Sequence, residues 1–129
     1  MVSNSPSAAQ AGVSLPDKRK ELMQLLAELA DGERQRNLWI KHIDYPNSSG
    51  IDEIFHFMFD DTDIGTDSYS EIGRILKNRS EADVMKKLSL SLKRLLNRLG
   101  DQNSDIYVHD AEWPEVMGIA LYAMKVFDE

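Results

Sequence analysis

SEADVMKKLSLSLKRLLNRLG, residues 80–100, is the stretch on which the fold turns. At roughly 100° per residue, Val84, Leu88, Leu92, Leu95 and Leu99 fall within about 80° of one another, with Met85 and Leu96 at one edge. Lys86, Lys87, Lys93, Arg94 and Arg98 occupy the opposite side. Leu90 sits among those basic residues as the one apolar side chain on the wrong face. The pattern predicts an amphipathic helix, capped by Ser80, with Glu81 and Asp83 against its positive end and Gly100 as its stop. Such a helix needs other helices to cover its leucine stripe.

Those helices are legible on both sides. Asp17 is expected to cap a helix whose Leu22, Leu25, Leu26 and Leu29 share one face, ended by Asp31-Gly32. A short helix from Glu33 to His42 follows, with Leu38, Trp39 and Ile43 inward. Tyr45 to Gly50 reads as a loop. Ile51, Ile54, Phe55, Met58 and Phe59 sit at helical spacing, widened by Phe57, so a helix is expected up to Asp60. The Phe55, Phe59 pair, like Leu88, Leu95 and Leu99, is expected in the core. A polar turn around Gly65 leads to a short helix, Tyr69 to Asn78, with Ile72, Ile75 and Leu76 inward. Beyond the central helix, Asp101 to Asp110 reads as a loop, briefly extended at Ile106-Tyr107-Val108. Trp113-Pro114 then opens a last helix, proline suiting a first helical position. That helix is apolar nearly all round, which places it at the centre of the core or under a second copy in a homodimer. The expected architecture is all-α, a bundle of five or six helices.

Composition sets the outer limits. A chain of 129 residues is one domain by size, with 42% hydrophobic and 29% charged residues. Residues 1–16 carry almost no charge or apolar bulk before Asp17, so a disordered tail is expected there and a single helical domain over residues 17–129. There is no cysteine, so neither a disulfide nor a thiolate metal site can form. The chain shows neither a secretory signal nor a membrane-length apolar run, and a cytoplasmic location is expected.

The net charge of −7 argues against nucleic acid and anionic membranes as partners. Its distribution is in blocks. Residues 44–73 hold eight acids (Asp44, Asp52, Glu53, Asp60, Asp61, Asp63, Asp67, Glu71) and no Lys or Arg, while residues 74–98 carry eight basic groups against two acids. The acidic block either folds against the basic helix or stays open to a cationic protein. The second is the expectation, with Asp60, Asp61, Asp63, Asp67 and Glu71 as the partner-binding residues.

Metal chemistry is the rival. A twelve-residue calcium loop begun at Asp60 puts Gly65 and Glu71 in their required places but Ile64 at a ligand position; begun at Asp61 it ends on Ile72. Both registers fail. His56 and Asp60 are four residues apart and can share a helix face, and His109-Asp110 is faintly similar to the paired motif of the HD phosphohydrolases. A metal-dependent hydrolase would draw on His56, Asp60, Asp61 and His109. With three histidines in the whole chain, no second paired motif, no nucleophile signature and no phosphate-binding glycine loop, the residues call for no cofactor and lean away from an enzyme.

Phe59 to Thr62, Ile72 to Glu81 and Trp113-Pro114 carry a further likeness, spanning about residues 51–127. FDDTDIGTDSYSEIGRILKNRSEADVMKKL followed by DIYVHDAEWPEVMGIALYAMKVF resembles an uncharacterised family of small acidic bacterial proteins. The resemblance implies no catalytic activity. It implies a small accessory or immunity-type protein.

Overall fold

The computed structural model describes residues 12–40 and 50–129. Helix α1 (Pro16–Leu29) presents Leu22, Leu25, Leu26 and Leu29 to the core as the spacing requires. It starts on Pro16 at the first helical position, with no side-chain cap; Asp17 lies inside the first turn, so the expected cap is corrected. The backbone amides of Ser14 and Leu15 donate to the carbonyls of Gly73 and Arg74 at 2.9 and 2.8 Å. These residues therefore pack with the domain, and the part of the expected tail at residues 1–11 lies outside the described residues.

Helix α2 (Gly32–Arg34) is capped by Asp31, whose carboxylate accepts from the amides of Glu33 and Arg34. It widens into a π-helical turn over Gln35–Ile40 that buries Leu38 and Trp39. His42, Ile43, Asp44 and most of the following loop lie outside the described residues. Helix α3 (Ile51–Phe55) likewise passes into a π-helical turn, His56–Asp61. A single 3₁₀ turn follows at Ser68–Glu71. Then come the long α4 (Arg79–Leu99), the short α5 (Ser104–Val108) and α6 (Trp113–Phe127). The described residues form an all-α single-domain bundle. Helix α6 packs on both α1 and α4, while α5 bridges α3, α4 and the turn that follows α2.

Four expectations change in register. The Tyr69–Asn78 helix does not form. Gly73 takes φ +91°, and the Glu71 carbonyl accepts from Arg74, Ile75 and Leu76 together. The chain turns there; Ile75 and Leu76 go inward and Ile72 is left exposed. Helix α4 is capped by Asn78, whose side chain accepts from Glu81, and not by Ser80. The segment read as extended is α5, held by the Asn103 side chain at its start and by the buried Tyr107, whose hydroxyl donates to Gly100 at 2.7 Å. Last, Phe55 and Phe59 lie only partly in the core, whereas Phe57 and Met58 are buried. The inward set Ile51, Ile54, Phe57 and Met58 runs at i, i+3, i+6 and i+7, ordinary helical spacing that leaves Phe55 and Phe59 at the edge of the buried face; the π-helical turn closes behind it, the Thr62 amide donating to Phe57 at 3.1 Å.

The leucine stripe is as the periodicity predicts, with Leu88, Leu92 and Leu95 at most 1% exposed; Leu99 is half-buried. Truncating Leu95 to Ala is expected to cost about 2–5 kcal/mol, read as a shifted urea midpoint with unchanged slope. A change under about 0.5 kcal/mol would place Leu95 at the surface.

A feature absent from any periodicity is the ion pair at the α1–α4 contact. The guanidinium of Arg19 donates to both carboxylate oxygens of Glu81, at 2.7 and 2.9 Å, and to the Ile75 carbonyl at 3.0 Å. It also stacks 4.8 Å from the Phe127 ring centre. Arg19 and Glu81 are 0% and 1% exposed.

Candidate functional site

Gly50, at φ +62°, launches α3 into a tight space: a Cβ there would stand 2.4 Å from Ser104 Oγ and 2.9 Å from Trp39. The amide of Ile51 donates to that same Ser104 hydroxyl at 3.0 Å. Thus anchored, the helix turns Ile51, Ile54, Phe57 and Met58 inward and leaves Asp52, Glu53, His56 and Asp60 outside. Thr62 ends the helix, its hydroxyl donating to the Phe57 carbonyl at 2.8 Å. The loop then folds back on Phe59, with the Gly65 amide donating to Met58 at 2.7 Å. A side chain at Gly65 would meet the Phe59 ring at 2.3 Å.

This frame sorts the five predicted partner-binding acids. Asp63 and Asp67 are held by their backbones, the Asp67 amide donating to the Asp63 carbonyl at 2.7 Å, and their side chains are exposed. Asp60 and Asp61 embrace His56, with Nδ1 3.0 Å from Asp60 Oδ2 and Nε2 3.2 Å from Asp61 Oδ1. Glu71 is different. It is 1% exposed; its carboxylate accepts from the Asp63 amide at 2.8 Å and from Arg74 Nε at 2.9 Å. Its place among the partner-binding residues is corrected: it holds the loop together from inside.

Between the outer face of α3 and α4 lies a cleft of about 510 Å³, floored by Phe55, Phe59 and Leu96 and rimmed by Asp52, Glu53, His56 and Asp60. The sequence pointed to Asp60 but not to this cleft. Leu96 is the residue that could have shown it, an apolar side chain at the edge of the α4 stripe and not at its centre.

Among the described residues no ion pair joins the basic helix α4 to the acidic block. Arg98 makes a bidentate pair with Asp110 at 2.8 and 2.6 Å and reaches Glu112 at 2.7 Å; Arg94 approaches Glu112 and Glu115. The hydrogen bonds from Arg98 hold the Asp110 carboxyl down at about 2. Further back along α4, Lys86 and Arg79 sit over the Tyr69 ring and Lys93 over Phe59. The Tyr69 hydroxyl is bonded to Asp83, which pushes its pKa up. Among the described residues, the ion pairs of the acidic block run only to His56 and, for Glu71, to Arg74.

The residues of the rival metal site do not converge in one shell. His56 shares its two nitrogens between Asp60 and Asp61, whereas His109 is bonded within its own turn, Nδ1 lying 2.9 Å from the Asp105 carbonyl. Among the described residues no group of three or more His, Cys, Asp or Glu is placed to hold a metal ion. No helix among them is long and apolar enough to cross a membrane.

A family model described as a domain of unknown function (DUF7945) matches residues 13–129. Comparison with curated proteins and with solved structures returned no match.

Proposed function

This chain belongs to the DUF7945 family, and we propose that it is a non-catalytic interaction module whose acidic α3 surface binds a cationic protein. The observation that carries this reading is the pairing pattern. Arg98 is committed to Asp110 and Glu112, and among the described residues no ion pair joins α4 to Asp52 or Glu53 at the rim of the apolar cleft, or to Asp63 and Asp67 on the loop that follows. An apolar floor with a charged rim suits a partner that offers a basic surface with one apolar anchor. An accessory or immunity-type protein that masks such a partner is the biological form this reading takes.

The test reverses the exposed charges together, Asp61→Lys, Asp63→Lys and Asp67→Lys. Because these side chains are exposed, stability is expected to stay within about 0.5 kcal/mol per site. Association with the partner, captured on the parent protein and then purified, is expected to slow by about tenfold or more at low salt and by less at high salt. A triple variant that unfolds, or that binds the captured partner as fast as the parent, refutes the reading. Metal analysis of protein purified without chelator separates it from the hydrolase: stoichiometric transition metal would favour the latter.

A further inference from the structure

Helix α6 buries Trp113, Val116, Ala120, Ala123, Val126 and Phe127 and leaves Leu121 and Tyr122 more than half exposed, with Met124 at 37%. On the side facing away from Ala120, Glu115, Gly118, Tyr122 and Lys125 follow at i, i+3, i+7 and i+10, the spacing of a single straight seam. All four are exposed. The seam is complementary to itself when reversed: counting outward from Ala120, Glu115 mirrors Lys125 and Gly118 mirrors Tyr122.

We propose that this seam is a homodimer interface, α6 packing antiparallel on α6 of a second copy about a two-fold axis at the level of Ala120. In that arrangement each Glu115 meets Lys125 of the second copy, and each Tyr122 ring lies over the second copy's Gly118. A parallel pairing would set glutamate on glutamate and tyrosine on tyrosine, so the charges choose the antiparallel one. Glycine in a helix interior is disfavoured against alanine, and among the described residues nothing beyond its neighbours and the backbone of its own helix lies within 4 Å of where a Cβ at Gly118 would stand. Close approach of a second helix accounts for it. The same two-fold sets both copies of Leu121 on one flank, beside the groove of about 320 Å³ lined by Met23, Leu26, Leu121, Met124 and Phe127. Glu115 also lies 3.6 Å from Arg94, an exposed contact of small worth that does not tie it down. The proposal stands apart from the acidic α3 surface, on another face and with another occupant.

Sedimentation equilibrium of the full chain tests it, with Glu115→Lys, Lys125→Glu, their equimolar mixture, the double variant and Gly118→Leu. The parent is expected to dimerise reversibly. Each single reversal changes two contacts per dimer and is expected to raise the dissociation constant by about tenfold. The mixture and the double variant restore it, since every lysine again faces a glutamate. Gly118→Leu abolishes the dimer while the helical circular dichroism persists. A parent that stays monomeric throughout the range overturns the proposal, as does a dimer that ignores either the reversals or Gly118→Leu. If Gly118→Leu fails to fold, the reversals at exposed positions decide alone.

Discussion

Glu81→Ala is expected to destabilise the protein by about 3–5 kcal/mol, more than its position on a lysine- and arginine-rich helix suggests. The carboxylate it removes is the counter-ion of a guanidinium with no access to water. Among the described residues Arg19 keeps only the Ile75 carbonyl at 3.0 Å and the Phe127 ring once Glu81 is gone. Its Nε already lacks a hydrogen-bond partner among the described residues. The loss also removes the carboxylate to which the Lys77 amide donates at 2.7 Å. A buried charge left alone is costly, whereas a buried pair replaced whole is not. The double variant Arg19→Met, Glu81→Leu is therefore expected to recover most of the stability, a non-additive result for two contacting residues. Urea unfolding of the parent, both singles and the double reads this cycle. A single-variant loss under about 1 kcal/mol, or a double no better than Glu81→Ala, would show that the pair is not an enclosed ion pair.

Trp113→Ala is expected to cost about 3–5 kcal/mol as well, by a different route. Trp113 is 1% exposed at the first turn of α6 and meets Trp39 edge to face, with ring centres 6.0 Å apart and planes at 72°. Its indole N–H donates to Gln35 Oε1 at 3.0 Å. Gln35 in turn donates from Nε2 to the carbonyls of Glu28 and Leu29, both at 2.9 Å, at the C-terminal end of α1. One indole thus links α6, the turn after α2 and the end of α1. Truncation opens a cavity and strands the Gln35 oxygen in it. Trp113→Phe keeps much of the volume but not the N–H, so it is expected to lose about 1–3 kcal/mol, the cost of a buried acceptor left unpaired. Equal effects of the two substitutions would mean that the hydrogen bond, and not the packing, is what matters. Losses under about 1 kcal/mol for both would remove Trp113 from the core altogether.

The sequence by itself determined the helices and their inward faces wherever a period of 3.6 ran long enough to be read. The stripes of α1 and α4, the stop at Gly100, the outward Leu90 and the start of α6 at Trp113-Pro114 follow from spacing and backbone preference, which are local properties. Tertiary structure decided what depends on closure. Packing chose which side of the apolar stripe from Ile51 to Phe59 faces the core: Phe57 went fully inside, and Phe55 and Phe59 were left on the floor of a cleft. Ser104, Asn103 and the buried Tyr107 made a helix of five residues where local propensity read a loop. Charge was the least legible quantity. Composition divided the chain into acidic and basic blocks, but which acids meet which bases is set by helix docking: Arg98 found Asp110, Arg19 found Glu81 across 62 positions, and Glu71 went inside. The same docking left Asp52, Glu53, Asp63 and Asp67 without a basic partner among the described residues, because an ion pair forms between neighbours in space and the alternation of charge along a chain does not say which those are.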